Sequence, residues 1–300
     1  MRTKTLLIII LIIGLLLLTS CQGGKKKQEK TGSFIGGTQG VIARFEPLGV
    51  EEKGIYSIFD TETFPIEVTL MNKGEYELQP NDVTVELQGP SPSEFTGIAN
   101  WKKNNVDVIN KISELVKEGG EETITFADEA RYTSAVRGVT ERNWFANIEY
   151  NYKTFAIVPE VCLKFDLRDK RVCNVQEKKA FDVSGAPITI ESVEEDTAGR
   201  GIMALKFSVK NVAGGKVTLP SSNFEVTDKL AYSLDDPGWE CKSGGRTNEA
   251  RLLDGKADVV CRLKNPLTEG QLSTKQVILT LNYKYRDIVP EKLAIKESVS

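Results

Sequence analysis

A chain of 300 residues with a formal net charge of −3 is long enough for two ordinary domains and carries no excess of positive charge to draw it onto nucleic acid. Histidine occurs at no position, which excludes Ser-His-Asp and Cys-His catalysis and imidazole-held zinc, copper or non-haem iron. Walker loops, dinucleotide-binding glycine patterns, S-x-x-K and G-x-S-x-G are missing as well.

The N-terminus opens with Arg2 and Lys4 and continues into an apolar run, Leu6 to Leu18, broken only by Gly14. A helix crossing about 30 Å of hydrocarbon needs about 20 residues, so this shorter run suits a secretory signal better than a permanent span. It ends in Leu18-Thr19-Ser20-Cys21, an apolar residue and two small ones before a cysteine. This resembles the lipobox of prokaryotic lipoproteins. The resemblance implies a signal peptide over 1–20, a diacylglyceryl thioether on Cys21 and cleavage before it, so that membrane lipid becomes a partner through Cys21. The alternative is an uncleaved signal anchor, and both readings place the following domains outside the cytoplasm, lipid-anchored or anchored to the cell membrane. Two acyl chains hold a protein stably, because each buried methylene adds about 0.8 kcal/mol.

Residues 21–37 are polar and rich in Gly and Lys and read as a flexible linker, with Lys25, Lys26 and Lys27 within reach of anionic headgroups. Without Arg2 and Lys4 the mature chain has 37 basic against 42 acidic residues, a net charge of about −5. Four cysteines remain after Cys21: Cys162, Cys173, Cys241 and Cys261. An even number outside the cytoplasm reads as disulfides. Of three connectivities we favour Cys162 with Cys173 and Cys241 with Cys261, because each pair brackets a hairpin or loop; each would contribute roughly 3 kcal/mol in the chain-entropy picture. A thiolate metal site would need a C-x-x-C or histidine, so no metal ligand and no cofactor is assigned.

A weak internal repeat sets the expected architecture. Tyr150-Asn151-Tyr152-Lys153 followed by Ile157-Val158-Pro159-Glu160 answers Tyr283-Lys284-Tyr285-Arg286 followed by Ile288-Val289-Pro290-Glu291. Ile66, Val68 and Leu70 ending at Asn72 answer Leu205, Phe207 and Val209 ending at Asn211, at a constant offset of 139. Trp101 is matched to Trp239, and Gly119-Gly120 before ETITFA to Asp254-Gly255 before ADVVCRL. Two copies follow, 38–183 and 184–300, joined near Val183-Ser184-Gly185-Ala186-Pro187.

Within each copy the apolar period is close to two: VIARFE, FPIEVTLMN and DVTVELQ, then PITIESV, ALKFSVKN, NFEVTD and QVILTLNYKY. Turn signals such as Asn72-Lys73-Gly74 and Gly214-Gly215 separate the runs. The fold class is therefore all-β, two tandem antiparallel β-sandwiches of roughly seven strands. Val106, Ile109, Ile112, Leu115 and Val116 recur at helical spacing and predict one short helix over an open end of the first sandwich. Pro159 and Pro290 predict an edge or a change of sheet. The strand rhythm and the N-G turn resemble the immunoglobulin-like, cell-adhesion-related domains of bacterial and archaeal surfaces.

Carboxylates available for hydrolysis are Glu194-Glu195-Asp196 and Asp235-Asp236, both read as solvated turns, with calcium as a lesser reading. Trp101, Trp144 and Trp239 could form a sugar platform, but core packing explains them better, and the Tyr150/Tyr152 and Tyr283/Tyr285 pairs read as packed stripes. The expected function is non-enzymatic: a membrane-anchored surface lipoprotein whose two immunoglobulin-like domains bind or scaffold an envelope protein or glycan. The alternatives are a carboxylate-dependent hydrolase of envelope polysaccharide and an accessory subunit of a membrane complex. No N-x-S/T sequon occurs in the chain.

Overall fold

The computed structural model describes residues 34–169, 171–175 and 177–298. The expected signal peptide (1–20), Cys21 and the expected linker as far as residue 33 lie outside them. From Phe34 onward the chain forms one compact unit built almost entirely of strands.

The first copy begins with β1 (Val41–Phe45) and the short hairpin β2 (Val50–Glu52) and β3 (Ile55–Phe59). β4 (Thr63–Asn72) follows, then β5 (Val83–Gln88), β6 (Phe95–Thr96) and β7 (Lys102–Asn104). β8 (Glu121–Tyr132) leads into β9 (Val139–Lys164). Two short strands, β10 (Glu177–Lys178) and β11 (Asp182–Val183), lead to the second copy, which starts with β12 (Ile188–Gly199) and β13 (Ile202–Asn211). β14 (Lys216–Thr218), β15 (Asp228–Leu234), β16 (Trp239–Lys242) and β17 (Glu249–Leu252) come next, and β18 (Lys256–Leu263) and β19 (Leu272–Lys296) close the chain.

Alternation does what the sequence asks. In β4, Phe64, Ile66, Val68 and Leu70 are buried; in β13, Met203, Leu205, Phe207 and Val209 are. Each copy supplies a four-stranded layer of the same order, β1-β4-β8-β6 and β12-β13-β18-β16, the second extended by β10. Each also supplies a three-stranded row, β7-β5-β9 and β17-β15-β19. That makes seven equivalent strands per copy, all antiparallel within the sandwiches.

The two rows are not separate sheets. β9 and β19 pair antiparallel from Leu272↔Lys164 to Lys296↔Val139, so one ten-stranded sheet runs through both copies. At about 3.3 Å per residue each of these strands is about 80 Å long, several times an ordinary strand. In the constant-type immunoglobulin order, layer ABED faces layer CFG. Here β5 and β9 hold the C and F places of the first sandwich, and the place beside F is taken by the C-terminal half of β19. The second sandwich, with β15 and β19 as C and F, receives the C-terminal half of β9 in the same place. Each copy therefore completes the other.

The covered face of the long sheet is continuous: Trp144, Ala146, Ile148, Tyr150, Tyr152, Thr154, Ala156 and Val158 of β9 are buried, as are Val277, Leu279, Leu281, Tyr283 and Tyr285 of β19. Phe95 of the first layer packs on Trp144, and the Thr154 hydroxyl donates to the Ile188 carbonyl of the second. One apolar core runs the length of the molecule.

Three expectations are corrected. Val106–Val116 is not a helix: Ile109 exchanges backbone bonds with Leu78, Ile112 N–H goes to Gly74 and Gly120 N–H to Asn110, so tertiary partners take the groups a helix would use. NFEVTD is irregular as far as Thr227, with strands β14 and β15 on either side of it. Trp101 is not the counterpart of Trp239: Trp239 opens β16, which occupies the place of β6 in the four-stranded layer, whereas Trp101 precedes β7 in the other row. The prolines behave as edges within continuous strands. Pro159 falls in a bulge where the register steps from Val158↔Val277 to Val161↔Lys275, and Pro290 lies between the stretches of β19 paired with β14 and with β3.

Candidate functional site

The repeat signature of the sequence converges on the middle of the molecule. Register places Tyr150 opposite Tyr285 and Tyr152 opposite Tyr283, with ring centroids 5.6 and 6.4 Å apart. All four are fully buried, and burial pushes each phenol up, Tyr285 to about 12 and the others further. Around them each copy builds the same clasp. Tyr152 Oη donates to Asn72 Oδ1 at 3.0 Å and accepts from Tyr76 N–H at 3.3 Å, while Asn72 Nδ2 donates to the Tyr76 carbonyl at 2.7 Å. In the second copy Tyr285 Oη donates to Asn211 Oδ1 at 3.1 Å and accepts from Gly215 N–H at 2.7 Å, while Asn211 Nδ2 donates to the Gly215 carbonyl at 2.7 Å. The backbone N–H of each Asn bonds the carbonyl of Gly120 or Gly255, just after a residue with positive φ, Gly119 or Asp254. This explains why GG and DG answer each other. The tyrosines are structural, as their spacing suggested.

Glu75, buried beside this clasp, ties the start of the described chain to the link between copies. Its carboxylate accepts from Ile35 N–H and Gly36 N–H at 2.9 Å and from Gly185 N–H at 2.7 Å.

Cys162 is bonded to Cys173 and Cys241 to Cys261, with Cα separations of 5.7 and 3.9 Å. The first closes the hairpin that follows β9. There Lys164, 3 % exposed, donates to the Asp169 and Cys173 carbonyls, and Glu195 accepts from Cys162 N–H at 2.7 Å. Glu195 also lies 2.9 Å from Lys179, whose side chain is itself buried; burial nevertheless holds the Glu195 carboxyl above its ordinary range. The second disulfide joins facing residues of β16 and β18.

The candidate catalytic carboxylates do not converge. Strand alternation sends Glu195 inward and its neighbours Glu194 and Asp196 outward. Asp235 accepts from Ile278 N–H, and Asp236 accepts from Gly238 N–H, Trp239 Nε1 and Lys275. Burial opposes ionisation of Asp236, but Lys275 and these donors bring it below the usual range. Among the tryptophans, Trp144 and Trp239 are buried, and Trp101 stacks on Trp144 with centroids 5.7 Å apart. None of the three forms an open platform.

One concave surface lies on the outer side of the second sandwich, a trough of about 740 Å³. It is lined by Glu191, Lys206, Ser208, Arg246, Arg251, Lys256 and Asp258, among others. β12, β13 and β18 present Glu191, Lys206, Ser208, Lys256 and Asp258 on the face opposite their core residues, and β17 adds Arg251. Arg246 projects from a tight turn closed by the Ser243–Arg246 backbone bonds and pinned by Tyr232 Oη, which donates to the Arg246 carbonyl at 2.8 Å. Lys210 at 2.6 Å, with Lys256 beside it, holds the Glu191 carboxyl below its ordinary range. Lys206 bridges Asp258 at 3.1 Å. Arg246 and Arg251 both pair with Glu249, at 3.6 and 3.7 Å, so the four lining cations are set against three carboxylates, Glu191, Asp258 and Glu249, in a protein whose overall charge is negative. Sequence reading missed this trough because its residues come from four strands and a turn, and each alone is an ordinary solvated charge.

Fold and surface together define an all-β sandwich protein with two disulfides and a cationic trough. Comparison with family models, with curated proteins and with solved structures returns no match for this chain.

Proposed function

We propose that the protein is a membrane-anchored lipoprotein, held by Cys21 outside the cytoplasm, that presents its two fused sandwiches as a non-enzymatic binding scaffold for an anionic envelope component. The observation that carries the reading is the trough around Arg246 and Lys256. It is a net-positive concavity on sheet residues that packing, a disulfide and a pinned turn hold in place, which is how a preformed contact surface is built. The engagement of Glu195, Asp235 and Asp236 in structural bonds favours binding over carboxylate-driven hydrolysis. Acidic segments of an envelope protein or acidic sugars of a glycan have the charge that the trough lacks.

The test has two readouts on one preparation. Intact mass of the membrane-extracted protein should show a chain beginning at a diacylated Cys21. Photo-crosslinking of whole envelopes from position 253, exposed on the rim of the trough, should capture a partner that Arg246→Glu with Lys256→Glu releases, with binding that weakens as salt rises. An unmodified, uncleaved N-terminus sinks the anchor; crosslinking unchanged by the charge reversals sinks the trough.

A further inference from the structure

The excursion Val106–Lys117 belongs to the first copy alone. It carries a concentration of uncovered apolar side chains: Leu115 is 96 % exposed and Val106 75 %, with Val108 and Val116 also exposed. With Ile35, 59 % exposed, these are five of the thirteen large apolar residues left open among the described residues. Ile35 lines one shallow cavity with Ile112, Ser113, Glu114 and Lys117. The backbone beneath is braced. Ile109 is bonded to Leu78, Ile112 N–H to Gly74, Gly120 N–H to Asn110, and Lys73 reaches the Glu118 carboxylate at 3.1 Å. A braced loop that holds apolar tips in water is the mark of a surface that something covers.

The path of the chain says what covers it. Glu75 fixes the amides of Ile35 and Gly36, so the described chain starts beside this excursion. Cys21 is 13 residues upstream of Phe34, a contour of at most about 45 Å. The interval holds Lys25, Lys26 and Lys27; the excursion itself is neutral, its exposed Lys111 and Lys117 balanced by the exposed Asp107 and Glu114. Apolar tips without net charge, one short contour from a lysine run and a lipidated residue, match the interface of an anionic bilayer.

We infer that Ile35, Leu115 and Val116 insert into the headgroup–acyl boundary of the bilayer that carries Cys21, with Lys111 and Lys117 against anionic headgroups, so that the anchor and the loop together fix how the sandwiches stand on the membrane. The inference rests on the lipid-anchor reading, and the experiment separates the two. Full-length protein purified from membranes is reconstituted in vesicles of phosphatidylcholine and phosphatidylglycerol, with an environment-sensitive dye on Leu115→Cys or, as the control, on Val226→Cys, which is equally exposed. The dye at 115 should shift to the blue and be quenched by shallow nitroxide lipids, roughly 5–10 Å below the phosphates, while the dye at 226 reports water. Adding Val116→Asp and Ile35→Asp should abolish both signals without moving the melting temperature.

Intact mass of the same sample reports the state of Cys21. A diacylated Cys21 with position 115 in water overturns the inference and leaves the anchor standing. Insertion at 115 with an unmodified Cys21 supports the loop and removes the anchor. A blue shift that needs no vesicles and grows with protein concentration means a second copy covers the loop, which also overturns the inference.

Discussion

Removing one hydroxyl from each copy of the tyrosine clasp tests how the two halves differ in burial. Tyr152→Phe takes a hydrogen bond from Asn72 Oδ1 and leaves Tyr76 N–H without its acceptor, around an asparagine that is 0 % exposed. A buried polar group left unpaired costs about 1–3 kcal/mol, so we expect about 2 kcal/mol. Tyr285→Phe deletes the same bonds to Asn211 and Gly215, but both of those residues are half-buried, and water can replace the hydroxyl. There the expected loss is about 0.5–1 kcal/mol, nearer the net worth of an ordinary bond. Urea unfolding followed by tryptophan emission reads both, provided the slope is unchanged and only the midpoint moves. Combining Tyr152→Phe with Asn72→Ala should give a coupling of about 1 kcal/mol or more, since the two share one contact. Equal losses in the two copies, or a reversed order, would refute the argument that burial sets the cost.

Because β9 and β19 pair along their whole length, the chain should unfold in one transition: tryptophan emission, which weighs the first sandwich, and circular dichroism, which weighs both, should give one midpoint, and two resolved midpoints would contradict a shared sheet. Replacing Cys162 and Cys173 together by Ser should cost about 3 kcal/mol if unfolded-chain entropy dominates. A much smaller loss in the same urea assay would mean that Lys164 and Glu195 hold the hairpin by themselves. Glu75→Gln should cost about 2 kcal/mol, because charge-assisted bonds to three amides become neutral ones; amide exchange at Gly36 and Gly185 should accelerate while exchange in β4 does not. The buried phenols give alkaline lability. Their folded values lie above the ordinary value of 10, so the unfolded chain gives up protons first, and stability present below about pH 10 falls above it by about 1.4 kcal/mol per pH unit per tyrosine. Phenolate absorbance should rise together with loss of strand signal rather than ahead of it.

Much of the layering was legible because burial in a strand is a local rule. FPIEVTLMN and ALKFSVKN bury alternate residues wherever they pair, and the Asn and Tyr-x-Tyr anchors mark positions that each copy must fill identically. Partner choice is a different matter. Nothing in QVILTLNYKY says that its neighbour is the YNYK strand of the other copy, since the bonds are backbone bonds and the pairing spans more than a hundred residues. Leu293 and Ile295, an alternating apolar pair beyond Pro290, were the available sign that β19 outlasts one sandwich. Helical spacing misled at Val106–Val116 because only Ile109 of the five is fully buried; the others reach that spacing without sharing a face. The reading of Glu195 as a solvated turn residue fails because it lies within β12 as a buried partner of Lys179, which follows the adjoining β10, and the pairing of those two segments is set by the fold rather than by any local pattern.

The exchange of final strands also sets a clock. The row β7-β5-β9 is finished once Lys164 has been made, yet the strand that lies against β9 ends at Lys296, 132 residues later. At about 5–20 residues per second that interval is about 7–26 s, during which the first sandwich exposes a strand edge 26 residues long. That edge is open to other chains until β19 is complete, and a truncation that removes only β19 leaves both halves open.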